Sequence, residues 1–462
     1  MKDSLKGLKN RRTYIIAYIV ILVVSALFYL TWYWHDGVIL TEDANSYINM
    51  QSDREPGYCS FLWILRSIFG TGSYLDAAAI IQCLIAAIAA AAITTSFWRR
   101  FSLNWISGVV ILVIQYGVTL LNRFVALRRY SYYNSIETEG LAYSIWVFFF
   151  LGLIGIIYDR SKKSIIMTVI WSVILISIRK QMLVTLCLLF VCLLFIWLGK
   201  KNWKKAVLEA VLIVAVGLAG TKLVDCTYNF ALRGVFAPHT GDSSFILGTE
   251  LFLADEDMVQ NIKEPEYQEI FKEIMLRNDE KQYNIAYAGK GWHNIEDHYS
   301  NSYDRIKFDI VNAVIREYQE EQGIPQEQRE DSYNEITGTI MKELLVPCIP
   351  NLIKLFFCNV IHGLITTVLK VNTILNWAAL GLYIIYTALI VFIAVKRKQR
   401  GETGISVLPL AVLVLVAILA NVCLTSVTIY CQMRYMLYNT GLFYQAGLLL
   451  VIEAKRMHID KF

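Results

Sequence analysis

The stretch that decides the fold is YIIAYIVILVVSALFYLTWYW, residues 14–34. It carries no charged residue, and its length is close to the ~20 residues that a helix needs to cross a bilayer. Its last residues include Trp32 and Trp34, which are typical of the aromatic belt at a membrane surface. A basic segment precedes the stretch, but no small-residue cleavage site follows it. The sequence therefore predicts a first transmembrane span that is retained, not a secretion signal.

The rest of the chain repeats this pattern. Of its 462 residues, 56% are hydrophobic and 18% are charged, and the apolar residues lie in blocks rather than in periodic stripes. Blocks near the spanning length predict a polytopic, all-α integral membrane protein, a bundle of about ten transmembrane helices. We place the spans near 14–34, 75–98, 103–121, 139–158, 164–178, 182–199, 206–226, 373–395, 404–426 and 435–453.

The basic residues of the short loops predict the orientation. Lys and Arg collect in loops on the cytoplasmic side of a membrane, and alternate loops of this chain are basic. The alternation is consistent with both termini in the cytoplasm, and we expect the protein in the cytoplasmic membrane of a bacterium. The basic loops are 2–12, 99–100, 160–163, 200–205 and 396–400.

The predicted spans divide the chain into four parts. Residues 1–226 form an N-terminal transmembrane module of about seven spans, with a first extracytoplasmic loop at 35–74. Residues 227–350 have apolar residues at helical spacing and, over 251–345, about twice as many acids as bases, which predicts a small helical extracytoplasmic domain. A polar stripe that includes His362 predicts an interfacial amphipathic helix at 351–371. Residues 372–462 form a C-terminal module of about three spans.

Several cations lie on the predicted outer side, against the orientation rule. They are Arg123, Arg128 and Arg129 in one loop and Arg179 and Lys180 in another. Because the preference of Lys and Arg for cytoplasmic loops does not explain these cations, we expect some of them to bind an anion. Arg is well suited to a phosphate, whose oxygens its guanidinium contacts in a bidentate fork.

The first outer loop carries an ordered set of residues. Asp43 follows the first span, Tyr47 comes four residues later, and Arg54-x-Pro-Gly-Tyr58 precedes an amphipathic run. This pattern resembles the first extracytoplasmic loop of the GT-C superfamily of membrane glycosyltransferases. That superfamily includes protein O-mannosyltransferases and the enzyme that adds aminoarabinose to lipid A. The resemblance implies a GT-C-like bundle in which Asp43 is the catalytic base.

Four more segments are similar to elements of the same superfamily and occur in the same order. The resemblance covers most of the membrane part and barely constrains the outer domain. It implies a polyprenyl-phosphate sugar as donor, with the phosphate held by Arg179, Lys180 and Arg434. The segments are ETEGLAYSIW with Glu139, SIRKQML with Arg179, TIMKELLVPCIPNLIKLFF, and QMRYMLYNTGLFYQ with Arg434 and Tyr435.

The chemistry of such a transfer needs few groups. A lipid phosphate is already a good leaving group, so the reaction needs only a base for the attacking hydroxyl, a contribution of ~10²–10⁴ in rate. One carboxylate near the membrane surface, Asp43, meets this need, and a single displacement inverts the anomeric centre. The sequence therefore predicts an inverting glycosyltransferase that moves a sugar from a polyprenyl-phosphate carrier to an acceptor hydroxyl on the outer face.

Each of these residues also has a purely structural interpretation. Asp43 and Glu42 suit the N-terminus of a helix, as does Glu139, for which acceptor binding or a metal site is the alternative. Arg54 is expected either to pair with Asp53 or Glu55 or to hold phosphate. Lys180 and the outer arginines can extend to lipid headgroups. Tyr47, Tyr58, Tyr435 and His362 are predicted to line the substrate site.

Two other functions remain open at this stage. One is a polysaccharide polymerase or ligase, and the other is a non-enzymatic flippase or transporter of lipid-linked sugars. The expected partners are the lipid-linked donor, membrane lipids and an acceptor that is a protein, a lipid or a glycan, with no nucleic acid. No cofactor is certain, although a divalent cation, Mg²⁺ or Mn²⁺, is compatible with this chemistry.

Overall fold

The computed structural model describes residues 2–125, 130–197, 203–238 and 244–459. The chain forms two compact units. The first unit is Met1–His239, Thr367–Ala420 and Met436–Phe462, and the second unit is Thr240–Thr366 and Asn421–Tyr435.

The described residues are almost entirely helical, with two strands of two residues each. The first nine α-helices are α1 (Lys2–Asp36), α2 (Ala44–Ile48), α3 (Pro56–Phe69), α4 (Tyr74–Arg100), α5 (Trp105–Leu120), α6 (Glu139–Asp159), α7 (Lys162–Ile178), α8 (Val184–Trp197) and α9 (Trp203–Arg233). The others are α10 (Ser244–Leu253), α11 (Pro265–Glu280), α12 (Trp292–Arg305), α13 (Asn312–Glu321), α14 (Arg329–Val368), α15 (Thr373–Arg400), α16 (Leu408–Thr428) and α17 (Met433–Ile459). The strands are β1 (Ile39–Leu40) and β2 (Ser135–Ile136).

Ten helical stretches in the described part of the chain are long and apolar enough to cross a membrane. Many of their apolar side chains are exposed, which favours contact with lipid over water. This confirms the coarse prediction of an all-α membrane protein, whereas the orientation and the bacterial membrane stay predictions. The stretches are Arg12–Asp36, Tyr74–Arg100, Trp105–Val125, Glu139–Asp159, Lys180–Trp197, Trp203–Arg233, Gln326–Val368, Thr373–Arg400, Leu408–Thr428 and Met433–His458.

Two segments differ from the expected arrangement of helices. The predicted span at 164–178 corresponds to α7, which has 17 residues and is not among the ten stretches. The expected interfacial helix at 351–371 is not a separate element, because α14 continues through Pro347 and Pro350. These prolines each remove one backbone donor without ending the helix. The location of this segment at a membrane surface stays a prediction.

The second unit has its own hydrophobic core. α10 and α12 pack against each other and against the π-helical turn Ile306–Val311. Phe252, Phe271 and Tyr303 are fully buried in this core, together with apolar residues from the first half of α14. Its helices therefore bury an apolar face of their own, as the spacing in the acidic segment predicts.

In the first unit, the first loop is fixed by close packing of α3 against the end of α7. Pro56 stands at the first position of α3, where its fixed φ favours the start of a helix. Gly57 follows, and a Cβ there would lie 2.7 Å from the carbonyl carbon and oxygen of Ser177 and 2.9 Å from the nitrogen of Ile178. Only a glycine lets the two backbones approach this closely. The loop is thereby held beside Arg179, the residue after α7.

A short parallel pairing holds the other side of this loop. Ile39 pairs with Ser135 and Leu40 with Ile136, and the Thr41 hydroxyl donates to the carbonyl of Ile136 at 3.0 Å. As a result, the segment after β1, which carries Asp43, lies beside the segment after β2.

The Gly57 contact gives a test of this packing. We expect Gly57→Ala to lower the free energy of unfolding by about 1–3 kcal/mol, the usual cost of overpacking, because the added methyl meets backbone atoms that have no room to move. Gly72→Ala is the matched control, since a Cβ at Gly72 meets nothing within 4 Å. Chemical denaturation in detergent measures both variants, and equal stabilities would contradict the close approach.

Candidate functional site

Asp43 and Arg54 form an accessible ion pair in the first loop. Arg54 Nη2 donates to Asp43 Oδ1 at 2.8 Å, and the two side chains are 25% and 38% exposed, respectively. Asp43 occupies the N-cap position of α2, but its side chain makes no capping hydrogen bond. Asp43 therefore stands at a helix N-terminus, as the structural interpretation expects, but without the capping hydrogen bond. Of the two partners expected for Arg54, Asp53 lies farther away, with 3.9 Å between Arg54 Nε and Asp53 Oδ2.

Glu139 and Arg179 form a second ion pair, and this one is buried. Arg179 Nη1 contacts Glu139 Oε1, and the Glu139 side chain is 1% exposed. The Thr138 hydroxyl lies between them: it accepts from Arg179 Nη1 at 3.1 Å and donates to Glu139 Oε2 at 2.9 Å. Glu139 is the first residue of α6, where the positive end of the helix dipole also favours a carboxylate. Arg179 and Glu139 are therefore partners of each other, although the sequence analysis assigned Arg179 to the lipid phosphate and Glu139 to an acceptor or a metal.

Tyr47 connects the two ion pairs. Its ring lies beneath the Arg54 guanidinium, with 4.9 Å between the Arg54 Cζ and the ring centroid. Burial raises the pKa of Tyr47, Arg54 and Arg179 lower it, and Glu55 and Asp43 raise it, with a net increase. Both pairs therefore act on one buried phenol, which stays protonated at neutral pH.

Lys180 adds a positive charge at the same place. Its backbone N–H donates to Glu55 Oε1 at 3.4 Å. Its side chain is exposed, and no described residue forms an ion pair with it. The Lys180 ammonium can therefore bind an external anion without breaking a contact.

Tyr58, which was predicted to line a substrate site, has a structural role. Its hydroxyl donates to Gln82 Oε1 at 2.9 Å and accepts from the backbone N–H of Glu137 at 3.1 Å. Gln82 Nε2 in turn donates to the carbonyls of Tyr133 at 3.1 Å and Ser135 at 3.0 Å. Tyr58 is fully buried, and the network that it shares with Gln82 holds the loop on α4.

The structure brings only part of the predicted site together. The first unit contains Glu42, Asp43, Tyr47, Arg54, Tyr58, Glu139, Arg179 and Lys180. Glu42 is exposed. The predicted residues of the second unit are His362, Arg434 and Tyr435, and Arg128 and Arg129 lie outside the described residues.

The predicted residues of the second unit have local partners there. His362 Nδ1 lies 2.5 Å from Glu296 Oε2, and Glu296 is buried. Arg434 stacks on the ring of Tyr435, with 4.8 Å between its Cζ and the ring centroid, and donates to the Tyr435 hydroxyl at 2.8 Å. Their roles in substrate binding stay predictions that rest on the resemblance.

Sequence reasoning missed two charged groups. Arg233, at the end of α9, donates to the carbonyl of Met50 at 2.7 Å and so holds the first loop. It is a cation at a predicted outer helix end, the signal that singled out Arg179. Glu250 is a lone acid in the apolar helix α10. It is fully buried, neither carboxylate oxygen has a hydrogen-bond partner, and burial raises its pKa to about 8.

The described side chains do not form a metal site. No group of three or more His, Cys, Asp or Glu in this part of the chain is placed to hold a metal ion. The ligand set expected for Mg²⁺ or Mn²⁺ is rich in carboxylate oxygens, yet the carboxylates of Asp43 and Glu139 are each engaged by an arginine. The divalent cation stays a prediction.

Comparisons with protein-family models, curated proteins and solved structures found no match. The similarity to the GT-C superfamily accordingly rests on the motifs of the first loop and on the four later segments.

The two ion pairs predict different effects on stability. We expect Arg179→Ala to lower the free energy of unfolding by about 3–5 kcal/mol, because it leaves the Glu139 carboxylate buried without its counter-ion. Arg54→Ala, which breaks the accessible pair, should cost about 1 kcal/mol or less. Chemical denaturation in detergent compares them, and Glu139→Gln added to Arg179→Ala should restore part of the loss. Equal effects of the two single substitutions would argue against the buried pair.

Glu250 predicts a pH dependence of stability. Its pKa is raised from 4.5 to about 8 in the folded chain, so the folded state binds this proton more tightly than the unfolded state. The contribution of this tighter proton binding to the free energy of unfolding is complete below about pH 4.5, and it is lost as the pH rises through 8. We expect Glu250→Gln to gain stability relative to the wild type between pH 5 and 9, as measured by thermal unfolding in detergent. Glu280→Gln, at an exposed acid of the same unit, should leave the pH profile of the wild type unchanged.

Proposed function

We propose that the protein is an inverting membrane glycosyltransferase that moves a sugar from a polyprenyl-phosphate carrier to an acceptor hydroxyl. The observation that carries the proposal is the accessible Asp43–Arg54 pair beside the exposed Lys180, at one end of a bundle of apolar helices. A base and cations at a membrane surface are the groups that this transfer needs. The motifs of the first loop, which resemble those of the GT-C superfamily, supply the choice of donor.

In the proposed reaction, Asp43 acts as the general base. Its carboxylate takes the proton of the acceptor hydroxyl while that oxygen attacks the anomeric carbon of the donor. The bond between this carbon and the phosphate oxygen breaks, and its electron pair leaves with the lipid phosphate. Arg54 orients the carboxylate through the 2.8 Å hydrogen bond. The second oxygen of Asp43 is the one proposed to face the acceptor.

The cations of the first unit have separate roles in this proposal. Lys180, with its exposed ammonium, contacts the departing phosphate as a compact point charge. Arg179 is engaged with buried Glu139 and therefore acts as a positioning residue, which fixes the chain around Lys180 and Tyr47. Glu42 is exposed and is assigned to the rim of the site. Arg434 and Tyr435 belong to the second unit, and their part in binding phosphate rests on the resemblance alone.

The location of the buried acids favours an enzyme over a transporter. A transporter of charged lipids is expected to carry ionisable residues near the middle of its spans. In the described part of the first unit, the buried carboxylates are Glu137, Glu139 and Asp225. Glu137 precedes α6, Glu139 begins it, and Asp225 lies in the last third of α9. A polymerase or ligase uses related chemistry, and identification of the acceptor separates it from a single-sugar transferase.

The proposed base predicts a specific loss of activity. In proteoliposomes with a panel of polyprenyl-phosphate sugars, the wild type should release lipid phosphate with one donor when acceptor is present. We expect Asp43→Asn to lower the rate about 10²- to 10⁴-fold, because it removes general-base help. Its folding should be unchanged, since the pair with Arg54 is accessible. Asp53→Asn, a nearby acid at 3.9 Å from Arg54, is the control and should retain most of the activity.

Three outcomes would count against this assignment. Equal release by folded Asp43→Asn and wild type would exclude Asp43 as the base. Loss in Glu42→Gln instead would transfer the role to Glu42. Movement of the labelled lipid between leaflets, without release of phosphate for any donor, would support a flippase.

A further inference from the structure

A cavity lies at the end of the first unit that is farther from Asp43. α4 begins at Tyr74, close to the first loop, and ends at Arg100, so its 27 residues span roughly 40 Å. The ends of α4, α15 and α17 and the start of α16 enclose a cavity of about 410 Å³. It lies entirely within the first unit, and the proposed transfer reaction does not use it.

Three arginines line this cavity, and two of them are neutralised. Arg100 contacts Asp159 with both terminal nitrogens, at 2.9 and 2.7 Å. Arg397 Nη1 donates to Glu453 Oε1 at 3.1 Å. The other oxygen of Glu453 accepts from the backbone N–H of Val407 at 2.7 Å, which caps the start of α16. A third acid, Glu402, also lines the cavity and lies 3.5 Å from Arg397 Nη1 and 3.6 Å from Arg400 Nη1. Each of these acids is therefore paired with an arginine other than Arg456.

The third arginine, Arg456, has no such partner. Its two terminal nitrogens donate to the carbonyls of Phe101 at 3.0 Å and Ser102 at 2.9 Å. No described carboxylate forms an ion pair with it. The two carbonyls fix the guanidinium without compensating its charge, and only part of its five N–H donors is used. Among the described residues, the cavity thus carries at its rim an oriented cation that is paired with no carboxylate.

The remaining wall of the cavity is mixed: it carries Ser102 and Glu402 beside several apolar side chains. Leu449 and Ile452 of α17 and Ile405 before α16 line it, and Ile405 is 63% exposed. The cavity therefore opens beside an apolar exterior that is suited to lipid chains. A ligand that matches both walls has an anionic group next to a hydrocarbon chain.

We propose that this cavity binds an anionic phospholipid, whose phosphate contacts Arg456 and whose acyl chain lies along Ile405 and Ile452. A soluble phosphate would satisfy Arg456 but leave the apolar wall uncovered, whereas a lipid satisfies both. The site is separate from the donor site, because it takes a bilayer lipid at the opposite end of α4. The lipid would hold together the ends of α4, α16 and α17.

The test uses the full-length wild type in a neutral detergent and measures equilibrium binding of fluorescent phosphatidylglycerol. We expect about tenfold weaker binding for Arg456→Gln, since a charge-assisted contact to phosphate is worth ~1.4 kcal/mol or more. Arg99→Gln is the matched control, because Arg99 is an exposed arginine at the same helix end and does not line the cavity. Its affinity should equal that of the wild type.

A second variant separates binding from folding. Ile405→Trp fills the exposed rim of the cavity without removing any side-chain hydrogen bond, and it should also weaken binding. Phosphatidylcholine with the same chains should bind about tenfold more weakly than phosphatidylglycerol. Equal binding of the two lipids, or unchanged affinity in both Arg456→Gln and Ile405→Trp, would overturn the proposal. Displacement of the lipid by inorganic phosphate at millimolar concentration would assign the site to a soluble anion and also overturn it.

Discussion

The first unit depends on one buried side-chain amide, that of Gln82. It lies in a helix long and apolar enough to cross a membrane, where water is not at hand and an unsatisfied polar atom costs about 1–3 kcal/mol. Its two N–H groups and its carbonyl are all used, on Tyr133, Ser135 and Tyr58. These contacts join two separate parts of the chain, α3 and the segment around β2, to α4. The position of Asp43 follows from them, because the loop that carries it is anchored by Tyr58 on one side and by the β1–β2 pairing on the other.

The two ion pairs near the Gln82 network differ in their exposure and therefore in what they can do. The buried pair of Glu139 and Arg179 cannot exchange its partners without exposing a bare charge to an apolar interior, so it is suited to hold a shape. The accessible pair of Asp43 and Arg54 is partly exposed, so a ligand can reach its carboxylate without unpacking the interior. The buried phenol of Tyr47 interacts with both pairs: its ring lies beneath Arg54, and the charge of Arg179 acts on its hydroxyl.

The sequence predicted the spans well because apolar blocks of bilayer length have a direct physical meaning. All predicted spans except 164–178 coincide with one of the ten long apolar stretches. The prediction was wrong at α14, where the polar stripe at 351–371 indicated a separate helix but the chain continues one helix through Pro347 and Pro350. The strands β1 and β2 have two residues each, too short for any periodicity, so the pairing that positions Asp43 was invisible.

For the site, the sequence identified charged residues but could not assign their partners. Arg54 was expected to pair with Asp53 or Glu55 or to hold phosphate. It does lie 3.9 Å from Asp53, but its shortest contact, at 2.8 Å, is to Asp43, which the sequence did not indicate. Glu139 and Arg179 are separated by a complete helical hairpin, and no local pattern indicates that they meet. Glu250 is a further case. The sequence shows an acid in an apolar helix, but whether this acid has a partner depends on the packing around it.

The parallel pairing of β1 with β2 also has a consequence for biosynthesis. Thr41 and its partner Ile136 are 95 residues apart, and a ribosome adds roughly 5–20 residues per second. The segment with Asp43 is therefore made at least several seconds before the strand that fixes it. During this interval α4 and α5 are synthesised, while the first loop still lacks its contacts with Ser135, Ile136 and Glu137. The site can assemble only after the chain has passed Glu137, so insertion of the early helices has to succeed before any of its chemistry exists.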